Sequence, residues 1–142
     1  MKRLTPSKTL MKTTRASIGR VFQLPFSSSF EVFVMQQLAD RKCVPCTGSV
    51  PALTGEPLEK LKKELPQWTV VDEHHLVRQF RFPDFKQALA FVNRVGEIAE
   101  AEGHHPDILL GWGKAEITLW THTVNGLTES DFILAAKIGR IA

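Results

Sequence analysis

Apolar residues return at helical spacing in three stretches and alternate with polar ones in four, and this pattern orders the chain. Leu58, Leu61 and Leu65 predict a helix that Thr54 caps, with Glu56 and Pro57 in its first turn and Pro66 as its stop. Gln67 to Val71 and His75 to Phe82 then read as two strands of a hairpin. The turn falls at Asp72-Glu73 and leaves His74 and His75 as solvated surface histidines. Asp84 with Gln87 opens the longest helix as a capping box, Ala88, Leu89, Val92, Val95 and Ala99 form its apolar face, and Gly103 ends it. Asp107 to Trp112 and Lys114 to His122 are the second strand pair. Period two in the latter sets Glu116, Thr118, Trp120 and His122 on the face opposite Ile117 and Leu119. Thr128 with Asp131 repeats the capping pattern, and Phe132, Ala135, Ala136 and Gly139, or Leu134, Ile138 and Ile141, supply the apolar stripes of a last helix.

The resulting order α-β-β-α-β-β-α defines an α+β class: a four-stranded antiparallel sheet with helices packed on one face. An uncovered sheet face or edge in such a fold invites a second subunit. The chain of 142 residues suits one domain, placed at 54–142. Residues 35–53 read as an irregular arm broken by Pro45, Gly48 and Pro51. Residues 1–34 hold six Lys/Arg and no acid before Glu31, among many Ser and Thr, and are expected to be disordered. Two origins fit them: an organelle-targeting leader, or an over-called start with translation from Met35. The protein is then cytoplasmic, or mitochondrial or plastidic if that segment is a transit peptide.

Charge narrows the function classes. The net +3 comes from that leader, because beyond residue 30 there are 12 basic against 15 acidic residues. A folded part without a basic excess, and a leader without interleaved aromatics, argue against nucleic acid as a partner. No apolar run approaches the roughly 20 residues that cross a bilayer, so no membrane partner is expected either. Cys43 and Cys46 form a lone C-x2-C pair with no second half of a zinc site, and no βαβ context for redox chemistry. An ordinary or loosely structural role is expected for them.

Candidate chemistry gathers between Glu100 and Asp131. Glu100 precedes His104 by one helical turn, His104-His105 is followed by Pro106, and His122 closes the last strand. Imidazoles exchange protons near neutral pH, so three of them around one pocket suit a reaction with a proton donor and a proton acceptor. A three-histidine metal site competes with this, but adjacent residues of an extended segment point opposite ways, which sets His104 and His105 apart as ligands. A structural role, with the histidines capping or hydrogen-bonded near a helix end, is equally open on the residues alone.

The pattern Glu100, His104-His105-Pro106, Trp112, Thr121-His122 and Asp131 resembles the pterin-4a-carbinolamine dehydratases. The likeness extends over about residues 38–142, including the CVPC arm, Leu65-Pro66-Gln67-Trp68 and the helix start from Phe82 to Phe91. It implies the α+β fold above, a homodimer or homotetramer, and no metal or organic cofactor. It also implies dehydration of a 4a-hydroxytetrahydropterin to the quinonoid dihydropterin. By the same resemblance, His104 and His122 form the acid–base pair and His105 binds and orients the pterin. Glu100 contacts substrate or fixes an imidazole tautomer, Trp68 and Pro106 belong to the substrate site, and Asp131 is a helix cap or a site residue. One departure stands out: Gly103 occupies the place where many relatives carry an acid, so any tuning of His104 is missing or moved to Glu100 or Glu102. The competing class is a non-catalytic dimerisation or assembly module, as in relatives that serve a homeodomain transcription factor or a carbon-fixing enzyme. Retention of all three histidines favours catalysis.

Overall fold

The structure, a computed structural model, describes residues 37–44 and 50–142. The basic leader and Cys46 lie outside the described residues. Seven regular elements follow in the expected order: α1 Gly55–Glu64, β1 Thr69–Val71, β2 His75–Arg81, α2 Phe85–Glu102, β3 Asp107–Gly111, β4 Lys114–Leu119 and α3 Glu129–Arg140. All strand pairs are antiparallel, in the order β1-β2-β4-β3. The sheet and the helices on one of its faces are the α+β arrangement that the hydrophobic pattern predicts.

Register explains which residues make the core. Leu76 lies opposite Leu119, Arg78 opposite Ile117 and Phe80 opposite Ala115, so these side chains share the helix-covered face. Against them pack Phe91 and Val95 of α2 and Phe132, Leu134 and Ile138 of α3, all buried. Each such side chain contributes about 1.5–3 kcal/mol through removal of apolar surface from water. Arg78 is the polar exception on this face: its guanidinium lies over the Phe80 ring at 4.3 Å, and burial lowers its pKa.

Several local expectations are corrected. Thr54 precedes α1 but makes no side-chain cap bond, and Gly55 begins the helix with φ 60. The first strand starts two residues late, because the turn after Pro66 closes through Trp68 N–H to the Leu65 carbonyl. On α2 the buried stripe is Ala88, Phe91, Val95 and Ala99, whereas Leu89 faces outward. A step from 88 to 89 turns about 100° around a helix, so only one of the two can face the sheet. Asp84 does cap α2, accepting from Gln87 N–H at 2.7 Å, but the Gln87 amide donates to the other Asp84 oxygen instead of reaching the backbone. Both apolar stripes proposed for α3 are buried except at Gly139 and Ile141, which stay partly exposed; the helix shares the core with residues of the sheet and α2 and with Leu38 and Ala39.

Candidate active site

Helix α2 ends where the site begins. Gly103 takes the left-handed conformation, φ 63, and His104 N–H bonds back to the Ala99 carbonyl at 3.2 Å, so the chain leaves the helix in a tight hook. The hook turns His104 inward: its Nε2 lies 2.6 Å from Oδ1 of Asp131, with side-chain exposures of 11% and 0%. His105, one residue on, turns outward and meets Glu100 at 2.8 Å, with exposures of 60% and 79%.

Asp131 has two tasks. As the third residue of α3 it accepts from Thr128 N–H at 2.7 Å, completing the expected capping box. The same Oδ2 accepts from Thr121 Oγ1 at 2.8 Å and Thr128 Oγ1 at 3.2 Å. With Oδ1 given to His104, the buried carboxylate is an acceptor for four donors. Of the two expectations for Asp131, the helix cap is present, and the same carboxylate also contacts His104.

His122 does not end a strand. Strand β4 stops at Leu119, Thr121 bridges to Gly126, and His122 opens a 3-10 turn that Asn125 closes with φ 51. The loop cannot be bulkier at Gly126, where an added Cβ would fall 2.8 Å from the Ala52 methyl. Beside this turn, His74 and His75 are half-buried rather than solvated; the His74 ring packs 4.8 Å from Trp120, and Trp120 packs 4.1 Å from His122. Burial of the β1–β2 turn against the 3-10 turn was invisible locally.

The histidines meet in one cleft of about 280 Å³, lined by Val44, Gly103, His104, His105, Thr121, His122 and Thr123. Glu100 and Asp131 stand behind it, each holding one imidazole. Pro106 is also outside the lining, as is Trp68, which is buried in the core with its ring edge to Phe80. A buried aromatic beside a turn carries no sequence mark that separates core from cleft.

Val44 was missed. The arm that brings it in is pinned by Val44 N–H to Ser130 Oγ and by Ser130 Oγ–H to the Val44 carbonyl, both at 3.1 Å. Cys43 N–H donates to Glu102 at 2.9 Å, and Lys137 salt-bridges Glu102 at 2.9 Å. These donors hold the Glu102 carboxyl below its ordinary value. Burial, then the Glu102 charge, pushes the Cys43 thiol up to about 12. Glu102 is thus committed to the arm and Glu100 to His105. The carboxylate in contact with His104 is Asp131, contributed by another helix. Among the described residues no group of three or more His, Cys, Asp or Glu is arranged to hold a metal ion.

Two imidazoles on separate elements open to one cleft, with a buried carboxylate behind one of them, an arrangement chemically able to carry paired proton transfer. The family model for pterin 4 alpha carbinolamine dehydratase matches residues 51–141. A protein of Rubrobacter xylanophilus named "Putative pterin-4-alpha-carbinolamine dehydratase" is 63% identical over 107 residues, covering 75% of this chain and 100% of its own length. One of the same name from Alkaliphilus metalliredigens is 48% identical over 107 residues, covering 75% and 96%. The crystal structure of a Brucella melitensis "transcriptional coactivator/pterin dehydratase" superposes with a TM-score of 0.60 at 34% identity, covering 64% of this chain and 98% of that one. The chain belongs to the pterin-4a-carbinolamine dehydratase family.

Proposed function

We propose that this enzyme dehydrates a 4a-hydroxytetrahydropterin in the cleft between His104 and His122. The reaction breaks the C4a–O bond, delivers a proton to the departing hydroxyl as water, removes the proton from N5 and forms the C4a=N5 bond. Both proton transfers need a positioned partner, because hydroxide is a poor leaving group and the new double bond requires N5 to be stripped. The observation that carries the reading is that two histidines 18 positions apart in sequence, on a helix exit and a 3-10 turn, line one cleft.

The support behind each ring suggests the division of labour. With His104 Nε2–H committed to Asp131, only Nδ1 is left to face the cleft. We assign His104 the acid role, because the carboxylate behind it balances the charge of an imidazolium that donates through Nδ1. His122 accepts the N5 proton, and its exposure to solvent lets it return that proton to water between turnovers. His105, steered by Glu100, binds a polar edge of the pterin. Val44 offers the cleft an apolar wall.

A direct assay tests this: 4a-hydroxytetrahydropterin generated in solution, with dehydration followed by absorbance. The wild-type chain accelerates it, and His104→Ala and His122→Ala each lose about two orders of magnitude in kcat. A wild-type chain that leaves the spontaneous rate unchanged ends the proposal.

The chain also forms a homo-oligomer in this reading. Leu109 on the edge strand β3 and Trp112 at its end are 60% and 78% exposed, a large apolar surface for a lone subunit. Light scattering should return two or four times the 16.0 kDa chain mass, and a mass of one chain removes this part. The coactivator function in the name of the Brucella relative keeps a dimerisation role open beside catalysis. A stoichiometric protein partner, together with absent turnover, would invert the order of the two.

A further inference from the structure

His122 is supported unlike His104. Among the described residues its ring meets no hydrogen-bond partner, and its one ring neighbour is the Trp120 indole, with centroids 4.1 Å apart and planes 50° from parallel. Trp120 does not line the cleft. The indole is itself gripped: Nε1–H donates to Asp107 Oδ2 at 3.2 Å, and the His74 ring packs on it at 4.8 Å. His74 also reaches Asn125 Oδ1 through Nε2 at 3.3 Å. Asn125 closes the 3-10 turn that His122 opens, donating its N–H to the His122 carbonyl at 3.3 Å. The contacts therefore form a ring: His74 to Trp120, Trp120 to the His122 imidazole, His122 backbone to Asn125, and Asn125 back to His74.

We propose that Trp120 is a positioning residue for His122, and that His74 locks the pair by bracing the indole on one side and the 3-10 turn on the other. The proposal rests on the reading of His122 as the proton acceptor. An exposed imidazole on a three-residue turn has free rotamers; an indole fixed at both its N–H and its face removes most of them. The same indole attracts the ring once it is protonated, because an imidazolium over an aromatic face gains a cation–π contact that neutral imidazole lacks. Trp120 thus sets where the acceptor stands and what its ring faces. The other titratable groups around His122 are His104 and His105 from the α2–β3 junction, with Asp131 and Glu100 behind them. Asp107 of β3 lies beyond the indole, and His74 and His75 come from the β1–β2 turn.

The test compares Trp120→Leu, which keeps apolar bulk without a ring, with Trp120→Phe, which keeps the ring face and loses only the bond to Asp107. Dehydration kinetics are read beside the proton NMR signals of the His122 ring, which the indole face shifts while the two rings stay in contact. W120L should lower kcat about tenfold with KM within about twofold, and W120F should recover most of that loss. The ring-current shift that the indole face imposes on the His122 ring protons should be lost in W120L and largely kept in W120F. His74→Ala should lower kcat in the same direction by a smaller factor. Unchanged kcat and unchanged His122 ring shifts in W120L overturn the proposal, as does an equal loss of kcat in W120L and W120F. The NMR arm needs no substrate. A wild-type chain without turnover would remove the dehydratase reading while the Trp120–His122 contact remained testable.

Discussion

His104 and His105 are neighbours in sequence, and each holds a carboxylate at hydrogen-bond distance, 2.6 Å and 2.8 Å. The resemblance ends there. The His104–Asp131 pair is buried and its carboxylate is shared with a helix cap and two threonines; the His105–Glu100 pair stands in solvent. Water screens the outer pair and competes for both partners, so it contributes about 0.2–1 kcal/mol. The inner pair has no such competitor, and losing one member strands the other in the protein interior. Equal distances therefore conceal unequal roles: one histidine is built into the fold, and the other is only steered.

The largest effect follows from Asp131. Asp131→Ala removes an acceptor from four buried donors and should cost about 3–5 kcal/mol in denaturant unfolding, a sizeable share of a domain's total stability. The activity that survives at a temperature where the variant is folded should fall with it, since the His104 ring loses the partner that fixes its tautomer. A loss below about 1 kcal/mol would show that the two pairs are alike after all. Next in size is the contrast within the tandem. His104→Ala should lower kcat far more than KM, whereas His105→Ala should raise KM with a loss in kcat of about tenfold or less. Equal profiles would erase the division between donor and binder. Smaller still is Glu100→Gln, which should change stability by less than about 1 kcal/mol and be felt in KM alone.

Asp131 also shows how far the sequence could be read. Its place in Thr128-x-x-Asp131 marks a helix start, because a capping box is local and needs only spacing. Its bond to His104 spans 27 positions and is a product of packing α3 against the end of α2, which no periodicity records. Gly103 was legible for the same reason as the cap: a helix stop is a property of one residue's φ. His122 was singled out by resemblance, yet its 3-10 turn was hidden inside an alternating run that continues to look extended. The burial of Trp68 was not legible, since a large aromatic can fill a core or a cleft with the same spacing. The arm was opaque altogether: its anchors, Glu102 and Ser130, are polar residues on helices, with nothing local to mark them as holding a distant strand of chain.

That arm gives the smallest and most discriminating effect. Glu102 is held below its ordinary value of 4.5 by Cys43 N–H and Lys137, so its support of the arm is complete above that value and is lost as pH falls through the lower folded one. Cys43 behaves in the opposite sense. Its thiol is raised from 9.0 to about 12, so it stays neutral at physiological pH, and its contribution to stability is lost only as pH rises through that range. Glu102→Gln removes the charge that is the second cause of the rise but leaves burial, the first, in place. Alkylation of Cys43, followed by peptide mass mapping, should therefore speed up in the variant at mildly alkaline pH. Its pH midpoint should move only part of the way back toward 9.0. A midpoint that returned all the way to 9.0 would mean that the arm had come loose and lost its burial as well. A shifted midpoint with unchanged dehydration kinetics would show the charge at Glu102 acting on the thiol alone. The buried His104–Asp131 pair would then stand as the electrostatic element on which turnover depends.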